Sequence, residues 1–431
     1  MPKAKLPPLV APNVHVRIRP LGDCGGHVAD GPSVYKELSR FDEKAVYISD
    51  RHNITRYDFC KSVFGPESCQ ESVYNEVAAD NVKEFASGVY NALIFSYGQT
   101  GTGKTWTILG PEQSWDSAGD HELSGILPRA VKQTFDTLEG KGDPFVLSAS
   151  AMEFYMLDCF DLLDPEHPSV LIHPDTGYPV GLDTVHLKSV NDIIPFIKKV
   201  QEKRATASTR MNPAFAGHSG SSRSHAAIML TLIRRDLAAD RIHTSVLNIV
   251  DLAGAERPSS NGYEGGGAWE AITDYYKGNY SRCLQAQGVV VNFELCQLRS
   301  AMVNAINQHK ARRPFTVPRQ LATAFIKYAS GCFCGRNKLS MCVTMSQAPS
   351  FGWETWFSCE YGKDIGKLRC PVAHLKANST KKAVSDAHKA SEGPLISKTP
   401  KGDASSKFHH RRYLEQKAAL QLKQFLSLIM G

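Results

Sequence analysis

Residues 92–105 read Ala-Leu-Ile-Phe-Ser-Tyr-Gly-Gln-Thr-Gly-Thr-Gly-Lys-Thr. The first six are mostly apolar strand formers, and the last eight fit G-x-x-x-x-G-K-[ST], the phosphate-binding P-loop. Its glycines leave backbone N–H groups free to surround phosphate oxygens, and a helix predicted next offers its positive dipole end. The pattern predicts that Lys104 reaches the β- and γ-phosphates and that the Thr105 hydroxyl holds Mg²⁺. The alternative, an ordinary Gly- and Thr-rich turn, does not explain the flanking strand and helix patterns.

Composition narrows the class of protein. The chain has 431 residues, of which 42% are hydrophobic and 22% are charged, as in globular proteins. Its eleven cysteines include no C-x-x-C pair, and Cys332 and Cys334 lack zinc-ligand neighbours, so we expect reduced thiols. No apolar run approaches a membrane span, and residues 1–8 lack the apolar core of a signal peptide. These features predict a soluble intracellular chain.

Positive charge is concentrated near the end of the sequence. The net charge is +7, and residues 376–412 carry nine Lys or Arg against three acidic residues, a net +6. A basic segment of this kind favours an acidic polymer or surface as partner, and a solvated linker without a partner is an equal alternative.

The hydrophobic pattern alternates between strand and helix. Predicted strands lie at residues 14–20, 44–48, 92–97, 146–155, 226–234, 246–250 and 338–347, with short ones near 170 and 185. Predicted helices lie at about residues 73–86, 126–138, 190–207, 289–306 and 320–329. This alternation predicts one α/β domain with a mostly parallel central sheet.

The sequence changes character after about residue 375. Residues 376–408 are rich in Ser, Lys, Ala, Gly and Pro, which predicts disorder. Residues 411–430 regain a helical pattern, with apolar residues at Leu414, Ala418, Leu422, Phe425 and Ile429. So short a helix docks on the domain, pairs weakly with a second copy, or is the stub of something longer.

Two further segments complete a nucleotide site. Residues 246–251 form an apolar run ending in Asp251, the Walker-B pattern, so this carboxylate is expected to hold Mg²⁺ through water. Gly254 follows, and its N–H can approach the γ-phosphate because no side chain blocks it. Upstream, residues 221–225 read Ser-Ser-Arg-Ser-His, which places three hydroxyls and one cation in five residues.

In combination these segments resemble a known family. Arg17-Ile-Arg19-Pro20 and residues 98–105, 221–225 and 251–257 resemble the four nucleotide motifs of a kinesin motor domain, and the resemblance covers roughly residues 12–370. It implies a three-layer α/β P-loop NTPase fold of kinesin type, with helices on both faces of the sheet. The domains implied are a motor domain at 12–372, a basic tail at 373–410 and a short amphipathic helix at 411–431.

The resemblance also implies roles for individual residues. Arg17 and Pro20 flank the adenine and Trp106 stacks on or near it. Arg223 and Glu256 form a salt bridge that closes two switch loops and orients the lytic water. The implied catalytic residues are Ser221, Arg223, Gly254 and Glu256; those for ATP or ADP are Arg17, Arg19, Pro20, Gly98, Gln99, Thr100, Gly101, Thr102, Gly103, Lys104, Thr105 and Trp106; those for Mg²⁺ are Thr105, Ser222 and Asp251.

Departures from the family pattern cluster in the switch and track-binding segments. Residues 213–220 lengthen the first switch, so either Asn212 or His218 takes the family's asparagine position. The loop at about 261–287 is long and Gly-rich. In the relay helix Gln287 replaces an acid and Phe293-Glu294 replace Lys-Ser, while residues 317–322 are a reduced form of the Tyr-Arg-Asp-Ser-Lys-Leu-Thr element.

Kinesins lay these last two elements against acidic tubulin, so the replacements should weaken electrostatic capture. Lys310, Arg312 and Arg313 nearby, together with the basic tail, offer partial compensation or are simply solvated. We therefore expect a cytoskeletal, microtubule-associated ATPase with no nucleic-acid partner and no membrane span. The alternatives are a degenerate, nucleotide-switched binding protein that does not step and, with no supporting signature, a microtubule disassembler. A weak dimer through the last helix is a further possibility.

Overall fold

The structure is a computed structural model that describes residues 7–22, 35–166, 168–173, 176–211, 223–255, 270, 273, 277, 283–313, 323–333, 337–391 and 406–430. The strands are β1 (Leu9–Val10), β2 (Asn13–Arg19), β3 (Glu37–Phe41), β4 (Val46–Ser49), β5 (Ile54–Tyr57), β6 (Ser62–Phe64), β7 (Asn91–Tyr97), β8 (Phe145–Tyr155), β9 (Asp158–Asp161), β10 (Leu171–Ile172), β11 (Pro179–Val180), β12 (Val185–Leu187), β13 (His225–Asp236), β14 (Arg241–Asp251), β15 (Asn337–Ser346), β16 (Cys370–Pro371) and β17 (Asn378–Ser379). The helices are α1 (Gln70–Tyr74), α2 (Asp80–Ala86), α3 (Lys104–Leu109), α4 (Ile126–Glu139), α5 (Ile193–Met211), α6 (Cys283–Lys310), α7 (Ala324–Phe333), α8 (Gly352–Gly366), α9 (Thr380–Ser391) and α10 (Ser406–Met430).

A ten-stranded sheet forms the centre, with strand order β12-β8-β13-β14-β7-β15-β2-β6 and with β9 and β17 attached at β8 and β14. The pairings from β14 to β6 are parallel, whereas β12, β8, β13 and β14 pair antiparallel. The sheet is therefore mixed, because β13 and β14 are joined directly by a short turn. A direct turn of this kind makes consecutive strands antiparallel.

Both faces of the sheet are covered, which gives the three layers that the sequence predicts. All seven residues of β7 are buried. Leu93 and Phe95 pack in a core shared with α6 and α7, while Ala92 and Ile94 pack in a second core shared with α2 and α4. Such a strand, buried on both sides, reads as a continuous apolar run rather than an alternating one.

The parallel strands end at the same edge of the sheet, so the residues that follow β7 and β14 meet there. Ser96 is in register with Asp251 across the β7–β14 pair. We call this edge the P-loop end. The opposite edge, where β14 begins and β13 finishes, is the far end.

The C-terminal part differs from its prediction. Residues 380–391 form helix α9, so the prediction of disorder across 376–408 is wrong for that stretch. Helices α9 and α10, which we call the C-terminal hairpin, pack together against the far end through Ala387, Leu426 and Ile429 on one side and Val146, Ile233 and Ile242 on the other. Of the three alternatives for the last helix, docking on the domain is the one observed.

The docked face of α10 follows the predicted stripe only in part, since Phe425 and Ile429 belong to both. Ala419, Leu426 and Ile429 are buried, whereas Leu422, an expected member of the apolar stripe, is 37% exposed. The helix is rotated because its contacts are to strands and to α9, which the pattern within one helix cannot reveal.

Candidate nucleotide site

The loop between β7 and α3 has the backbone of a phosphate cradle. Gly98 and Gly103 have φ values of 152° and 98°, in the region that favours glycine. A Cβ at Gly98 would lie 2.3 Å from the Thr344 carbonyl oxygen, so no other residue fits there. Thr102 fixes the loop, since its hydroxyl donates to the Gln99 carbonyl at 2.8 Å.

Lys104, the first residue of α3, lies beneath this loop. Its side chain is 7% exposed, and Nζ donates to the carbonyl oxygens of Gly98 at 3.0 Å and Gln99 at 2.8 Å. A buried ammonium requires such acceptors. The charge is therefore held within the loop that would surround the phosphates.

Asp251, at the end of β14, is the centre of the polar contacts. The Thr105 hydroxyl donates to its Oδ2 at 2.7 Å, and Ser96 Oγ donates to Oδ1 at 3.3 Å. Arg204 of α5 also donates to Oδ2, at 3.2 Å, and both members of this ion pair are almost fully buried. A carboxylate and a hydroxyl at one point form the hard oxygen set that Mg²⁺ prefers, with water and substrate phosphate completing the shell.

A second carboxyl lies on the other side of Arg204. Glu153 of β8 is 2% exposed and accepts a hydrogen bond from Ser224 Oγ at 2.5 Å. Burial raises the pKa of Glu153, while the positive charge of Arg204 and the Ser224 hydrogen bond act in the opposite direction. Arg204 therefore interacts electrostatically with both carboxyl groups, Asp251 and Glu153.

The loop after β14 touches the cradle directly. The Ala255 N–H donates to the Gly98 carbonyl oxygen at 3.1 Å, and Gly254 beside it is buried. This contact places the Gly254 backbone next to the first glycine of the cradle. A displacement of either loop therefore affects the other.

The motif at residues 17–20, which the kinesin resemblance assigns to adenine binding, also makes contacts that hold the domain together. Arg17 donates to Gln70 Oε1 at 2.8 Å and to Thr107 Oγ1 at 3.0 Å, and burial lowers its pKa. Gln70 in turn donates to the Trp106 carbonyl oxygen at 2.8 Å. Arg17 thereby joins α1 to α3, while Pro20 and Trp106 are exposed at the surface.

Comparison with known proteins agrees with this geometry. Residues 17–274 match the protein family described as the kinesin motor domain. The chain belongs to the kinesin motor-domain family. Kinesin motor domains are, as a family, microtubule motor ATPases.

Relatives of this kinesin chain are long proteins. Kinesin-like protein KIN-5C of Nicotiana tabacum is 31% identical over 333 residues, covering 73% of this chain and 30% of the relative. Kinesin-like protein KIN-5C of Arabidopsis thaliana is 30% identical over 378 residues, covering 83% and 34%. The chain thus spans about a third of the length of these relatives.

A solved structure of a fast kinesin, whose title concerns its ATPase mechanism and its interactions with microtubules, has a similar fold. The TM-score is 0.63 at 19% identity, covering 85% of this chain and 94% of that one. The kinesin-type P-loop fold predicted from the sequence is confirmed.

The kinesin motifs converge only in part. The structure brings the P-loop residues, Arg19, Asp251 and Gly254 to one edge, and Arg19 donates to the Gly101 carbonyl oxygen. Arg223 is half-buried directly before Ser224. Three predicted site residues lie outside the described part of the chain, namely Ser221, Ser222 and Glu256. The two candidates for the switch asparagine, Asn212 and His218, and the loop at 256–269 lie outside it as well. Their roles stay predictions.

Arg204 and Glu153 belong to this site but were not predicted from the sequence. Each stands in a segment that carries the family resemblance, but nothing in the local pattern indicates that they meet Asp251 and Ser224. Their partners are 47 and 71 residues away in sequence. These contacts form because β13 pairs with β8 and because α5 brings Arg204 to the end of β14.

The relay-helix replacements face inward. Gln287 is 3% exposed and donates to the Tyr155 hydroxyl at 2.5 Å, and Glu294 is 2% exposed. The Glu294 carboxylate is therefore inside the domain and adds no negative charge to its surface. The expected weakening of electrostatic capture by the replacements stays a prediction. Exposed cations are instead found at the end of α6, at Lys310, Arg312 and Arg313.

Among the described residues, none of the helices combines the length and apolarity needed to cross a bilayer. The same part of the chain holds no cluster of three or more His, Cys, Asp or Glu side chains suited to a metal. A P-loop magnesium site does not require one, since phosphate and water supply most of its ligands.

Proposed function

We propose that this kinesin chain binds Mg·ATP at the P-loop end, hydrolyses it, and couples hydrolysis to its interaction with microtubules. The observation that carries the proposal is the meeting of Lys104, Thr105 and Asp251 beneath a glycine cradle. A positive charge, a hydroxyl and a carboxylate at the start of a helix are the groups that P-loop NTPases use.

The residues have separable tasks. Lys104 exchanges its carbonyl acceptors for phosphate oxygens, and the backbone N–H groups of the loop and the N-terminus of α3 supply further donors. Thr105 and Asp251 would hold Mg²⁺, with a water molecule between the ion and the carboxylate. When bound, Mg²⁺ neutralises charge on the phosphates.

Arg204 fixes the Asp251 carboxylate. Its guanidinium occupies one side of Oδ2, so the carboxylate oxygens keep a defined direction. The positive charge of Arg204 also acts on Glu153, so that it offsets the negative charge of both carboxyl groups.

Water activation depends on segments outside the described residues. By family resemblance, the Ser221 and Ser222 hydroxyls contact the γ-phosphate and Mg²⁺, the Arg223–Glu256 pair orders the attacking water, and the Gly254 N–H contacts the γ-phosphate. The contact between Ala255 and Gly98 supports the last of these roles, because it holds Gly254 against the cradle.

Microtubules are the proposed partner, and the cytoskeleton the proposed location. The exposed cations at the end of α6 supply charge of the sign that an acidic lattice attracts. With the relay-helix acid buried, the described part of α6 offers less repulsion than its sequence suggests. The basic segment at 376–412 remains a proposed auxiliary tether.

The test is ATP turnover measured with and without microtubules. A many-fold increase of turnover by microtubules supports the motor, and slow turnover that does not change with microtubules contradicts it.

Glu256→Ala should keep nucleotide binding and lose hydrolysis, and unchanged turnover in this variant would exclude the water-positioning role. Replacing the exposed lysines of α9, Lys381, Lys382 and Lys389, by Gln should reduce salt-sensitive microtubule binding while the apolar contacts of the hairpin are kept.

One observation favours a second candidate, a nucleotide-switched microtubule binder that does not step. The chain leaving α8 is fastened to the domain by β16 on β1 and by β17 on β14, and then by the C-terminal hairpin. A segment fixed in this way does not swing as a lever. Nucleotide-dependent binding without movement in a gliding assay would favour this candidate.

A further inference from the structure

A single histidine ring joins three elements behind the nucleotide site. His225, the first residue of β13, is fully buried, and its ring stacks on Phe325 with centroids 4.1 Å apart. Its Nδ1 accepts a hydrogen bond from the Ala253 N–H at 3.0 Å. Its Nε2 lies 3.1 Å from Glu294 Oε2 on α6.

These contacts fix the protonation of the ring. A backbone N–H can only donate, so Nδ1 must present its lone pair and the ring proton must be on Nε2. His225 is therefore neutral and donates to Glu294. The contact is a hydrogen bond to a carboxyl group, not an ion pair of two full charges.

Glu294 depends on this one contact. It is 2% exposed, and within the described part of the chain its Oε1 has no hydrogen-bond partner. A buried carboxyl that loses its remaining donor is strongly disfavoured. The position of α6 relative to the His225 ring is therefore restricted.

The other side of the ring leads to the nucleotide. Ala253 lies between Asp251, which accepts from Thr105, and Gly254, which lies against the cradle. A displacement of residues 251–255 therefore moves the donor to Nδ1, and the ring transfers this displacement to Glu294. The kinesin pattern has Ser where this chain has Glu294, and a Ser hydroxyl stands two carbons short of the carboxyl position.

We propose that Glu294 is a positioning residue that couples residues 251–255 to α6 through the His225 ring. The response of α6 to nucleotide then depends on the hydrogen bond between the His225 and Glu294 side chains. The proposal rests on the nucleotide binding proposed above, but not on hydrolysis or on microtubules.

Hydrogen–deuterium exchange of α6 amides tests this, with the full chain in Mg·ADP and in a magnesium complex of a non-hydrolysable ATP analogue. Wild type should show different α6 protection in the two states. Glu294→Ser should reduce that difference at least fivefold, while the Kd for Mg·ADP stays within twofold. Glu294→Gln should keep the difference, because the amide oxygen still accepts from Nε2.

Leu298→Ala is the matched control. Leu298 is a buried apolar residue one turn further along α6, so its truncation loosens the packing without touching His225. It should lower the Tm and keep the difference. If Glu294→Ser does not fold, Glu294→Asp withdraws the carboxylate by one carbon and should behave in the same way.

The outcomes separate the two proposals. An undiminished difference in Glu294→Ser or Glu294→Asp, or an equal loss in Leu298→Ala, overturns the coupling while leaving the nucleotide site intact. If wild type binds Mg·ADP but neither hydrolyses ATP nor responds to microtubules, the proposed function fails and the exchange result still decides the coupling. A wild type that binds no nucleotide overturns both.

Discussion

The two ends of the central sheet bury different kinds of side chain. At the P-loop end, Lys104, Asp251, Arg204 and Glu153 are all less than 9% exposed. At the far end, the contacts of the C-terminal hairpin are made by Val, Ile, Leu and Ala. Buried charges lower stability unless every group is paired, whereas buried apolar area raises it.

This difference separates function from stability within one sheet. The polar end holds its groups in fixed directions and gains little net stability from them. The far end gains stability from the apolar contacts of the C-terminal hairpin. Changes at the P-loop end should therefore alter activity, and changes at the far end should alter unfolding.

The largest expected effect is at Lys104. Lys104→Ala should lower ATP turnover at least ~100-fold, because the developing phosphate charge loses its cation. The free energy of unfolding should change by less than about 1 kcal/mol, since only hydrogen bonds to loop carbonyls are lost. Steady-state turnover and urea unfolding measure the two quantities.

The control is Lys203→Ala. The Lys203 Nζ also donates to a backbone carbonyl, that of Pro165 at 2.9 Å, but away from the cradle. Turnover that falls equally in both variants would contradict a specific role for Lys104.

At the far end, Leu426→Ala should lower the free energy of unfolding by about 2–5 kcal/mol, the usual cost of a cavity at a buried leucine. Leu426 is 4% exposed, whereas Leu428 on the same helix is 58% exposed. Leu428→Ala should change stability by no more than about 0.5 kcal/mol. Nucleotide affinity should be unchanged in both variants. A loss of affinity in Leu426→Ala would show that packing at the far end influences the nucleotide site.

A buried histidine on β2 gives a pH-dependent test of whole-domain stability. Burial, helped by Lys61 and Lys44, lowers the pKa of His15 from 6.5 to about 4. Below pH 6.5 the unfolded chain binds a proton that the folded chain refuses, so stability falls as the pH decreases from 6.5 to 4. Between pH 7 and pH 5 this group should remove about 2 kcal/mol.

His15→Leu should remove that contribution from the pH dependence of urea unfolding. The substitution should also be tolerated at pH 7, because neither ring nitrogen of His15 has a hydrogen-bond partner among the described residues. An unchanged difference between pH 7 and pH 5 would assign the effect to other groups.

The smallest effect is expected for Lys417, whose Nζ is 2.5 Å from Asp183 Oδ1. Both side chains are partly exposed, so Lys417→Ala should cost less than about 1 kcal/mol. Added salt should then change the free energy of unfolding of wild type and of the variant by the same amount. A larger loss would mean that charge, and not apolar contact, holds the hairpin.

The sequence was sufficient for features that depend on neighbours in the chain. The cradle, β7 and the acid at the end of β14 are each specified by a short pattern, and parallel pairing then brings Thr105 to Asp251. The last helix was found by its periodicity. Its buried face was predicted only in part, because Leu426 is buried by contacts with β8, β13 and β14, which lie far away in the sequence.

Features that depend on distant partners could not be predicted. Glu294 is buried against His225, which lies 69 residues before it in the sequence. Helix α9 was missed because only Thr380 and Ala387 are buried in it, so its composition resembles that of a disordered segment. Helix α8 carries Trp, Cys and Gly among its polar residues and gave no clear periodicity.

The attachment of the C-terminal segment determines how it would respond to tension. Helix α10, helix α9, β17 and β16 contact the domain one after another along the chain, and each of the two strand pairs has only two residue pairs. A load pulling on residue 430 would peel the last contact first, and the next would carry force only after it had opened. Mechanical work done on this end would thus be absorbed by the hairpin before any reached the β1–β16 pair.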